Sequence, residues 1–243
     1  MIATETVRPT HAALSGLRGV ALLQGLDEAA LVEVAQASQF QLVRARQTVM
    51  SRADKDHDCC LVLSGNLRVV ALSRSGRELS FRDVAAGGAV GEIAALDGRP
   101  RSATVVALQE SLLARITPAD LKALMRRHWP LCERMLEHLA RSTRALTLRV
   151  YELSVLNVQQ RLCAELARMA LAADSASSAR VVLRPAPSHH ALAMRISSYR
   201  EQVTREMAEL ARLGLLTRDR EQIVIDDLPR LAELGEGRGA DAD

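Results

Sequence analysis

The sequence predicts an α+β protein in which a β jelly-roll comes first, a long helix follows, and a winged helix-turn-helix closes the chain. Three observations predict this class. Short strand-like segments with alternating apolar residues, separated by glycine turns, run from about Phe40 to Ile116. The stretch from Leu131 to about Leu156 contains neither glycine nor proline. Beyond it lie two shorter helical segments and then two short strand-like segments around a charged turn.

The bulk composition is that of a globular protein with a mild basic bias. The 243 residues leave room for two ordinary domains, and the formal net charge is +3. Such a bias fits nucleic acid or an anionic ligand as a partner but identifies neither. Lys55 and Lys122 are the only lysines, so nearly all basic side chains are arginines. This preference suits bidentate recognition of phosphate or guanine, or else it reflects a GC-rich genome.

The spacing of the cysteines predicts the cellular compartment of the protein. Cys59, Cys60, Cys132 and Cys163 occur without C-x-x-C spacing, which favours a reducing, cytoplasmic location over a disulfide framework. Because adjacent residues on a strand point to opposite faces, Cys59 and Cys60 are expected to be structural, and no metal site is predicted. The polar N-terminus and the lack of an apolar run of about 20 residues predict neither a secretion signal nor a membrane partner.

The order of the elements divides the chain into four predicted segments. They are a loosely ordered N-terminal tail (1–16), a β-rich domain (17–126), a long helix (127–158) and a winged helix-turn-helix domain (159–243). In the β-rich domain, Asp27 is the expected cap of a helix within residues 26–39. The final residues, from Gly235 on, are polar and are expected to fray.

The long helix carries apolar residues at heptad spacing. Its two rows are Leu139, Leu146 and Leu153, and Leu136, Thr143, Val150 and Asn157. This seam predicts a two-stranded coiled coil and therefore a homodimer, with the polar Thr143 and Asn157 fixing the register. The alternative is a helix that lies on its own barrel.

The segment from Ala191 to Leu216 has the layout of a helix-turn-helix, and a strand pair follows it as a wing. One helix face is apolar, and the other carries Arg200, Glu201, Thr204 and Arg205. Arginine donates two hydrogen bonds to guanine and glutamate accepts one from cytosine, so Arg200, Glu201 and Arg205 are expected to read bases. The candidates for phosphate contact are Ser188, His189, His190 and Arg195. The alternative is a solvated helix with alternating charge.

The start of the second of these helices has two interpretations. Ser198 with Glu201 forms the pattern of a capping box, which would occupy Glu201 at the helix end. The other candidate cap is Tyr199. Ser197 stands in the turn, where a left-handed backbone would strain any residue except glycine.

The stretch GEIAALDGRPRSATVVA, from Gly91 to Ala107, poses a physical problem. It is mostly small and apolar and ends in a strand-like run, yet it holds Glu92 and Arg101. Burying a carboxylate and a guanidinium is costly unless each is paired. Either the two pair with each other in an empty pocket, or a ligand with an anionic end and a hydroxyl donor completes the pairing.

Two motifs carry a resemblance to a known family. Gly-Glu-Ile-Ala, an arginine nine residues after the glutamate, and Pro-Arg-Ser-Ala-Thr-Val resemble the phosphate-binding cassette of cyclic-nucleotide-binding domains. This likeness covers the barrel from about Leu61 to Ile116. The pattern R-E-x-V-x-R, from Arg200 to Arg205, resembles the recognition helix of the cyclic-AMP receptor protein and fumarate–nitrate regulator (CRP/FNR) superfamily. The order of barrel, long helix and winged helix-turn-helix matches that superfamily over nearly the whole chain.

The resemblance assigns ligand-binding roles to residues whose chemistry fits them. Arg101 would hold a cyclic phosphate through two charge-assisted hydrogen bonds, and Glu92, an acceptor only, would take a ribose hydroxyl. Gly91 would let the backbone approach closely, and a short helix starting near Glu92 would offer N–H groups. Ser102 would reach phosphate or base, and Ile93 is assigned to the same site. The family's threonine–serine pair that reaches adenine falls on Leu146 and Thr147, and Leu146 departs from it.

The implied fold is an N-terminal cyclic-nucleotide-binding β jelly-roll, a long dimerisation helix and a C-terminal winged helix-turn-helix. The implied function is that of a homodimeric bacterial transcription regulator, not an enzyme, which binds palindromic operator DNA with TGTGA-like half-sites and works with RNA polymerase. Cyclic AMP (cAMP) is the first choice of ligand and cyclic GMP (cGMP) the second. The alternatives are a same-fold regulator that responds to redox state or haem, or one that binds DNA without ligand.

Overall fold

A computed structural model describes residues 5–7, 11–72, 78–173 and 180–237 of the chain. It divides into two compact units, Met1–Thr143 and Arg144–Asp243, each of which is described by itself. The division falls within one long helix, so the predicted domain boundaries at 126/127 and 158/159 stay predictions. In the described part of the chain, no helix combines the length and the apolar character that crossing a bilayer requires.

The first unit is built on two antiparallel sheets. Its strands are β1 (Glu5–Val7), β2 (Ser38–Val43), β3 (Thr48–Met50), β4 (Cys59–Ser64), β5 (Asn66–Leu72), β6 (Glu78–Ala85), β7 (Ala89–Val90), β8 (Thr104–Ala107) and β9 (Ser111–Ile116). One sheet has the order β1-β2-β9-β4-β7 and the other the order β3-β8-β5-β6. Two facing antiparallel sheets of short strands are the predicted jelly-roll arrangement.

Helices cover the outer face of the larger sheet. They are α1 (His11–Arg18), α2 (Glu28–Gln36), α3 (Glu92–Asp97), α4 (Pro118–Arg127) and α5 (Trp129–Val155), the last of which runs on into the second unit. The side chain of Asp27 accepts a hydrogen bond from the backbone N–H of Ala30 at 2.8 Å, which confirms the predicted cap of α2.

Strand β4 is buried on both faces. Cys60 and Val62 point between the two sheets, while Cys59, Leu61 and Leu63 point toward the helices. This double burial explains why the strand reads as a continuous apolar run rather than an alternating one.

The N-terminal segment has regular structure within the predicted loose tail of residues 1–16: β1 pairs with β2, and a helix begins at His11. Helix α1 starts there, and its Leu17 is fully buried in the core against β4. A Cβ on Gly16 would lie 2.9 Å from Leu63 Cβ, so the helix and the strand pack closely. Apolar anchoring therefore orders a segment whose sequence is polar at its start. Residues 1–4 and 8–10 lie outside the described residues.

The long helix has a different environment at each of its two ends. Leu131 and Met135 are buried in the barrel core and Leu139 packs against it, so the first turns of α5 lie on their own barrel. The later turns expose apolar side chains, as the heptad seam requires. The seam ends earlier than predicted, because Asn157 caps the next helix through a reciprocal pair of 2.9 Å hydrogen bonds with Gln160.

The second unit packs helices on a small sheet. Its elements after α5 are α6 (Val158–Ala172), β10 (Val181–Leu183), α7 (His189–Arg195), α8 (Arg200–Arg212), β11 (Leu216–Arg218), β12 (Ile223–Ile225) and α9 (Leu228–Gly235). The predicted wing is confirmed as the antiparallel pair β11 and β12. Strand β10, which pairs with β12, was not predicted, because a three-residue strand after a polar loop carries no periodic signal.

Gly65, between β4 and β5, gives a stability test of the barrel. Its φ is +93° and an added Cβ would lie 2.1 Å from Ser111 Oγ, whereas Gly98 has a φ of +69° and open space around it. We expect Gly98→Ala to lower the free energy of unfolding by about 1–2 kcal/mol through backbone strain alone. Gly65→Ala is expected to cost about 1–3 kcal/mol more through the added overlap. Urea unfolding followed by the fluorescence of Trp129, the single tryptophan, measures both; equal costs would contradict the expectation.

Candidate ligand pocket and nucleic-acid interface

The turn between β7 and α3 brings two predicted ligand-binding residues together. Gly91 adopts a φ of +83°, and Glu92 begins the helix directly after it. A Cβ on Gly91 would lie 2.6 Å from Arg101 Nη1 and 2.7 Å from the carbonyl oxygen of Asp58. Glycine is therefore required here, as predicted, but the group that approaches it is the side chain of Arg101.

The guanidinium of Arg101 is buried and only partly hydrogen-bonded. Its side chain is 2% exposed. Nη1 donates to the carbonyl oxygen of Gly91 at 3.2 Å and Nη2 donates to Asp56 Oδ1 at 2.8 Å. Nε is buried without a hydrogen-bond partner among the described residues. A buried N–H group without an acceptor is costly, so this edge of the guanidinium is suited to receive one.

Asp56 bridges Arg101 to a second arginine. Its other oxygen, Oδ2, accepts from Arg115 Nη2 at 2.6 Å, and the same nitrogen lies 3.2 Å from Asp58 Oδ2. Burial alone raises the pKa of Asp56, but the hydrogen bond from Arg101 and the charge of Arg115 outweigh it and hold that pKa below its ordinary value. Asp56 is therefore an anion at neutral pH.

Glu92 is a buried carboxylate with two cationic or polar neighbours. Its Oε1 accepts from Arg82 Nη2 at 3.3 Å and lies 3.2 Å from Nε2 of His138 on α5. Burial raises the pKa of Glu92. The hydrogen bond from His138, the hydrogen bond from its own backbone N–H and the charge of Arg82 together outweigh burial, so the pKa lies below its ordinary value. The interpretation in which Glu92 and Arg101 pair with each other is wrong, because each has its own partners.

The remaining predicted ligand contacts are exposed. Ile93 lies in the first turn of α3 and Ser102 follows Arg101, and both side chains face solvent. Leu146 and Thr147 are also exposed and belong to the second unit, so their assignment to the pocket stays a prediction. Of the assigned set, the structure brings Gly91, Glu92 and Arg101 together.

The cysteines beside the pocket lie in an apolar environment. Cys59 and Cys60 are fully buried on β4. Burial raises the pKa of both thiols, that of Cys60 to about 11, so neither is a thiolate at neutral pH. A neutral buried thiol behaves as a small apolar side chain, which is the structural role predicted for this pair.

The helix-turn-helix of the second unit has the predicted apolar face. Leu192, Ile196, Val203, Met207 and Leu210 are all buried. Ser188 caps α7 through a 3.1 Å hydrogen bond from the backbone N–H of Ala191. The turn before α8 contains Ser197 at a φ of +55°, so the chain accepts a left-handed residue at a position that glycine would fill without strain.

The start of α8 leaves Glu201 available. The helix begins at Arg200 with Tyr199 as its N-cap residue, and Tyr199 makes no capping hydrogen bond with its side chain. The capping box predicted from Ser198 and Glu201 is wrong, because Ser198 Oγ bonds to Gln202 Oε1 at 3.2 Å instead. Glu201 is therefore exposed and free of a capping role.

The predicted reading face of α8 is exposed. Arg200, Glu201, Thr204 and Arg205 all face solvent. Arg200, Glu201 and Arg205 form no ion pair within the part of the second unit that the structure describes. The hydroxyl of Thr204 donates to the carbonyl oxygen of Arg200 at 2.9 Å and lies 2.7 Å from His189 Nδ1. Two unpaired guanidinium groups about one and a half turns apart are thus presented outward.

Both units of the chain match known protein domains. A model of the cyclic nucleotide-binding domain matches residues 40–128, and a model of the Crp-like helix-turn-helix domain matches residues 160–234. The transcriptional regulator SdrP of Thermus thermophilus is 33% identical over 186 residues, which are 73% of this chain and 84% of SdrP. The chain belongs to the CRP/FNR family of transcriptional regulators.

Other members of the CRP/FNR family match over most of their length. The CRP-like cAMP-activated global transcriptional regulator of Mycobacterium tuberculosis is 19% identical over 211 residues, 87% of this chain and 94% of that protein. The structure of the c-di-GMP-responsive global regulator CLP of Xanthomonas campestris has a TM-score of 0.70 at 20% identity and covers 82% of this chain and 99% of CLP. Because CLP is only 20% identical to this chain, the likeness to CLP concerns the fold alone. This CRP/FNR protein is thus a transcription regulator with a domain for a small-molecule effector and a domain for DNA.

Sequence reasoning missed the partners that hold the two pocket charges in this CRP/FNR protein. Asp56 and Arg115 surround Arg101, and Arg82 and His138 surround Glu92. A signal that could have found them is the polar run Lys55-Asp56-His57-Asp58 just before β4, because charged side chains beside a buried strand need partners. In the described part of the chain, no three histidine, cysteine, aspartate or glutamate residues are grouped as metal ligands.

An ion-pair network in the second unit was also missed. Arg168 contacts Glu152 on α5 and Glu165 on α6, and Glu165 accepts from Arg195 Nη1 at 2.9 Å. Glu152 and Glu165 are buried, so these pairs are screened little by solvent. Arg195, a predicted phosphate contact, is engaged inside the unit, where it ties α7 to α6.

The titration of Glu92 can be checked by its effect on stability. Because the pKa of Glu92 is lowered from an ordinary value of 4.5, its carboxylate contributes stability that is present above that value and is lost as the pH falls through the folded pKa. We expect Glu92→Gln to have a lower free energy of unfolding than the wild type at about pH 5, and this difference to narrow as the pH falls below 4.5. Urea unfolding followed by Trp129 fluorescence measures the difference. Parallel stability curves for the two proteins would contradict this account.

Proposed function

We propose that this CRP/FNR protein is a homodimer that binds a palindromic operator in response to a cyclic nucleotide, with cAMP as the first candidate, cGMP as the second, and RNA polymerase as a further partner. The observation that carries the proposal is the buried guanidinium of Arg101 with its unsatisfied Nε. In a protein with a cyclic nucleotide-binding domain, such a group is suited to bind the anionic part of a ligand.

The phosphate of a cyclic nucleotide has the chemistry that this guanidinium requires. Nε and Nη2 form one edge of the arginine fork, and two phosphate oxygens accept from such an edge in parallel. The result would satisfy the buried Nε–H and place a negative charge beside a positive one that is shielded from water.

The ribose of the ligand fits Glu92. An ionised carboxylate accepts hydrogen bonds and donates none, so it selects a hydroxyl group. The lowered pKa of Glu92 keeps it in this acceptor form at neutral pH. Gly91 sets the spacing of the two groups, because its carbonyl oxygen holds Arg101 and Glu92 follows it directly.

The choice of cAMP rests on the relatives and on Leu146 and Thr147, the two residues proposed to contact the purine. The Mycobacterium tuberculosis relative is described as cAMP-activated, and the structural neighbour CLP as responsive to c-di-GMP. Leu146 offers no hydrogen bond to a purine, which leaves Thr147 as the proposed polar contact. The redox and haem alternatives are disfavoured for Cys59 and Cys60, because those thiols are buried and protonated.

The second half of α5 supports the homodimer. Leu146, Val150 and Leu153 are 53%, 65% and 39% exposed, and they occupy the two rows of the heptad seam. A second copy of the same helix presents the same seam, so a two-fold pairing buries both at once. Two copies of α8 would then face two half-sites about one DNA turn, roughly 34 Å, apart.

Coupling between the two sites follows from differential affinity. A ligand shifts the dimer toward its DNA-binding state only if it binds that state more tightly than the other. By linkage, operator DNA then raises the ligand affinity by the same factor.

The ligand test compares two arginines that lie two residues apart. Arg101→Leu removes the proposed phosphate contact, whereas Arg99→Leu removes the same charge from an exposed side chain. We expect cAMP to bind the wild type and Arg99→Leu alike, and Arg101→Leu at least about a hundredfold more weakly, because two charge-assisted hydrogen bonds are lost. Calorimetric titration with cAMP, cGMP and c-di-GMP measures this and ranks the ligands. Equal binding by all three proteins, or none by the wild type, would refute the ligand proposal.

The DNA test uses three arginines of α8. Arg200→Ala and Arg205→Ala are each expected to weaken specific binding by about 1–3 kcal/mol per half-site, while Arg212→Ala, whose guanidinium pairs with Glu209 in the last turn, leaves it unchanged. Fluorescence anisotropy against a palindrome with TGTGA-like half-sites, in the presence of ligand, measures the affinities.

A control duplex with one half-site scrambled tests the dimer in the same assay. The wild type is expected to bind it much more weakly than the palindrome, because only one recognition helix finds its sequence. If the palindrome and the single half-site bound equally, the dimer proposal would fall.

A further inference from the structure

Asp56 satisfies Arg101 only in part. It offers one oxygen, Oδ1, to Nη2, and leaves the neighbouring Nε–H without an acceptor. Arg68 and Asp83 on β5 and β6 show the complete arrangement, in which Nε and Nη2 donate to the two carboxylate oxygens at 2.7 and 2.9 Å. Asp56 does not reach this geometry because Arg115 holds its second oxygen at 2.6 Å.

We propose that Asp56 is an internal anion that occupies the phosphate site of the ligand-free protein and has to leave Arg101 before a cyclic nucleotide binds. The proposal rests on the proposed function and adds the residue that sets the affinity of that site. It makes Asp56 a competitor of the ligand rather than a support for Arg101.

The surroundings of Asp56 allow such a displacement. It lies in the irregular segment between β3 and β4, so its movement breaks no strand pairing. Its side chain is 43% exposed while that of Arg101 is 2% exposed, which gives the carboxylate a route to solvent. Arg115 already holds Oδ2, so Asp56 keeps a cationic partner after it leaves Arg101.

The charges around Arg101 oppose binding of Asp56 and a cyclic phosphate to it at the same time. Arg101 and Arg115 face Asp56 and Asp58, so the resting group of four is electrically balanced. A cyclic phosphate that entered while Asp56 stayed on Arg101 would bring a second anion to one guanidinium in a buried setting. Like charges at such a distance repel, so exchange is favoured over addition.

The experiment compares two neutralised aspartates by calorimetric titration with cAMP, cGMP and c-di-GMP. Asp56→Asn removes the competing anion and is expected to bind the responsive nucleotide about tenfold more tightly than the wild type. Asp58→Asn removes the same charge from a residue whose side chain contacts Arg115 and not Arg101. It is the matched control, and its affinity is expected to change by less than about threefold.

For a second variant, Arg115→Gln, we expect the opposite change in nucleotide affinity. Arg115→Gln releases Oδ2 of Asp56, which then completes the bidentate pair with Arg101 and strengthens the competition. We expect this variant to bind the nucleotide more weakly than the wild type, and the double variant Asp56→Asn, Arg115→Gln to recover the tight binding of Asp56→Asn. Near-ultraviolet circular dichroism confirms that each variant is folded.

Each outcome decides the question. If Asp56→Asn binds as the wild type does, or more weakly, Asp56 orients Arg101 rather than blocking it, and the inference is wrong while the ligand proposal stands. Tighter binding by Arg115→Gln would also overturn the inference. If neither the wild type nor Asp56→Asn binds any of the three nucleotides, the proposed function fails and the inference fails with it.

Discussion

The buried guanidinium of Arg101 is the constraint on which the rest of the pocket depends. A permanent positive charge inside an apolar barrel is tolerated only beside an anion and with its N–H groups in hydrogen bonds. Asp56 supplies the anion and the carbonyl oxygen of Gly91 takes one N–H, and that carbonyl is within reach only because Gly91 has no Cβ. A ligand at this site therefore replaces an existing partner. Its affinity is the difference between two ion pairs, and such a difference is easily tuned to a cellular concentration.

Helix α5 has two kinds of environment along its length. Its first turns are fixed to the barrel by Leu131 and Met135, and His138 places a hydrogen bond on the pocket carboxylate Glu92. Its last turns belong to the second unit, where Glu152 joins the ion pairs that reach α7 through Glu165. A change in the partners of Glu92 therefore acts on His138. This residue lies on α5, and ion pairs connect the far end of α5 to the helix-turn-helix. This is the physical basis on which the proposed coupling rests.

The sequence predicted the features that local patterns encode. The alternation of the strands, the glycine-free run of α5, the Asp27 cap and the apolar face of the helix-turn-helix are all periodic or short-range signals, and the structure confirms them. The pairing of the pocket charges has no such signal, because Asp56 and Arg101 are 45 residues apart, and Glu92 and His138 are 46 apart. Competition between two local signals explains the end of the predicted heptad seam. Asn157 satisfies both a heptad position and a helix cap, and the cap is the one that forms, because it supplies two hydrogen bonds.

The arginine-rich composition acquires a structural meaning once the partners are known. Arg68 forms a full fork with Asp83, Arg168 joins two buried glutamates, and Arg195 is held by Glu165, so each of these guanidinium groups is engaged within its own unit. Arg200 and Arg205 have no such carboxylate in the described part of the second unit, and Arg101 has one that satisfies it incompletely. The number of arginines is therefore a poor guide to where anions bind. What matters is where each guanidinium lies and how far an internal carboxylate has already satisfied it: Arg101 is buried and incompletely satisfied, and Arg200 and Arg205 lie exposed on one helix.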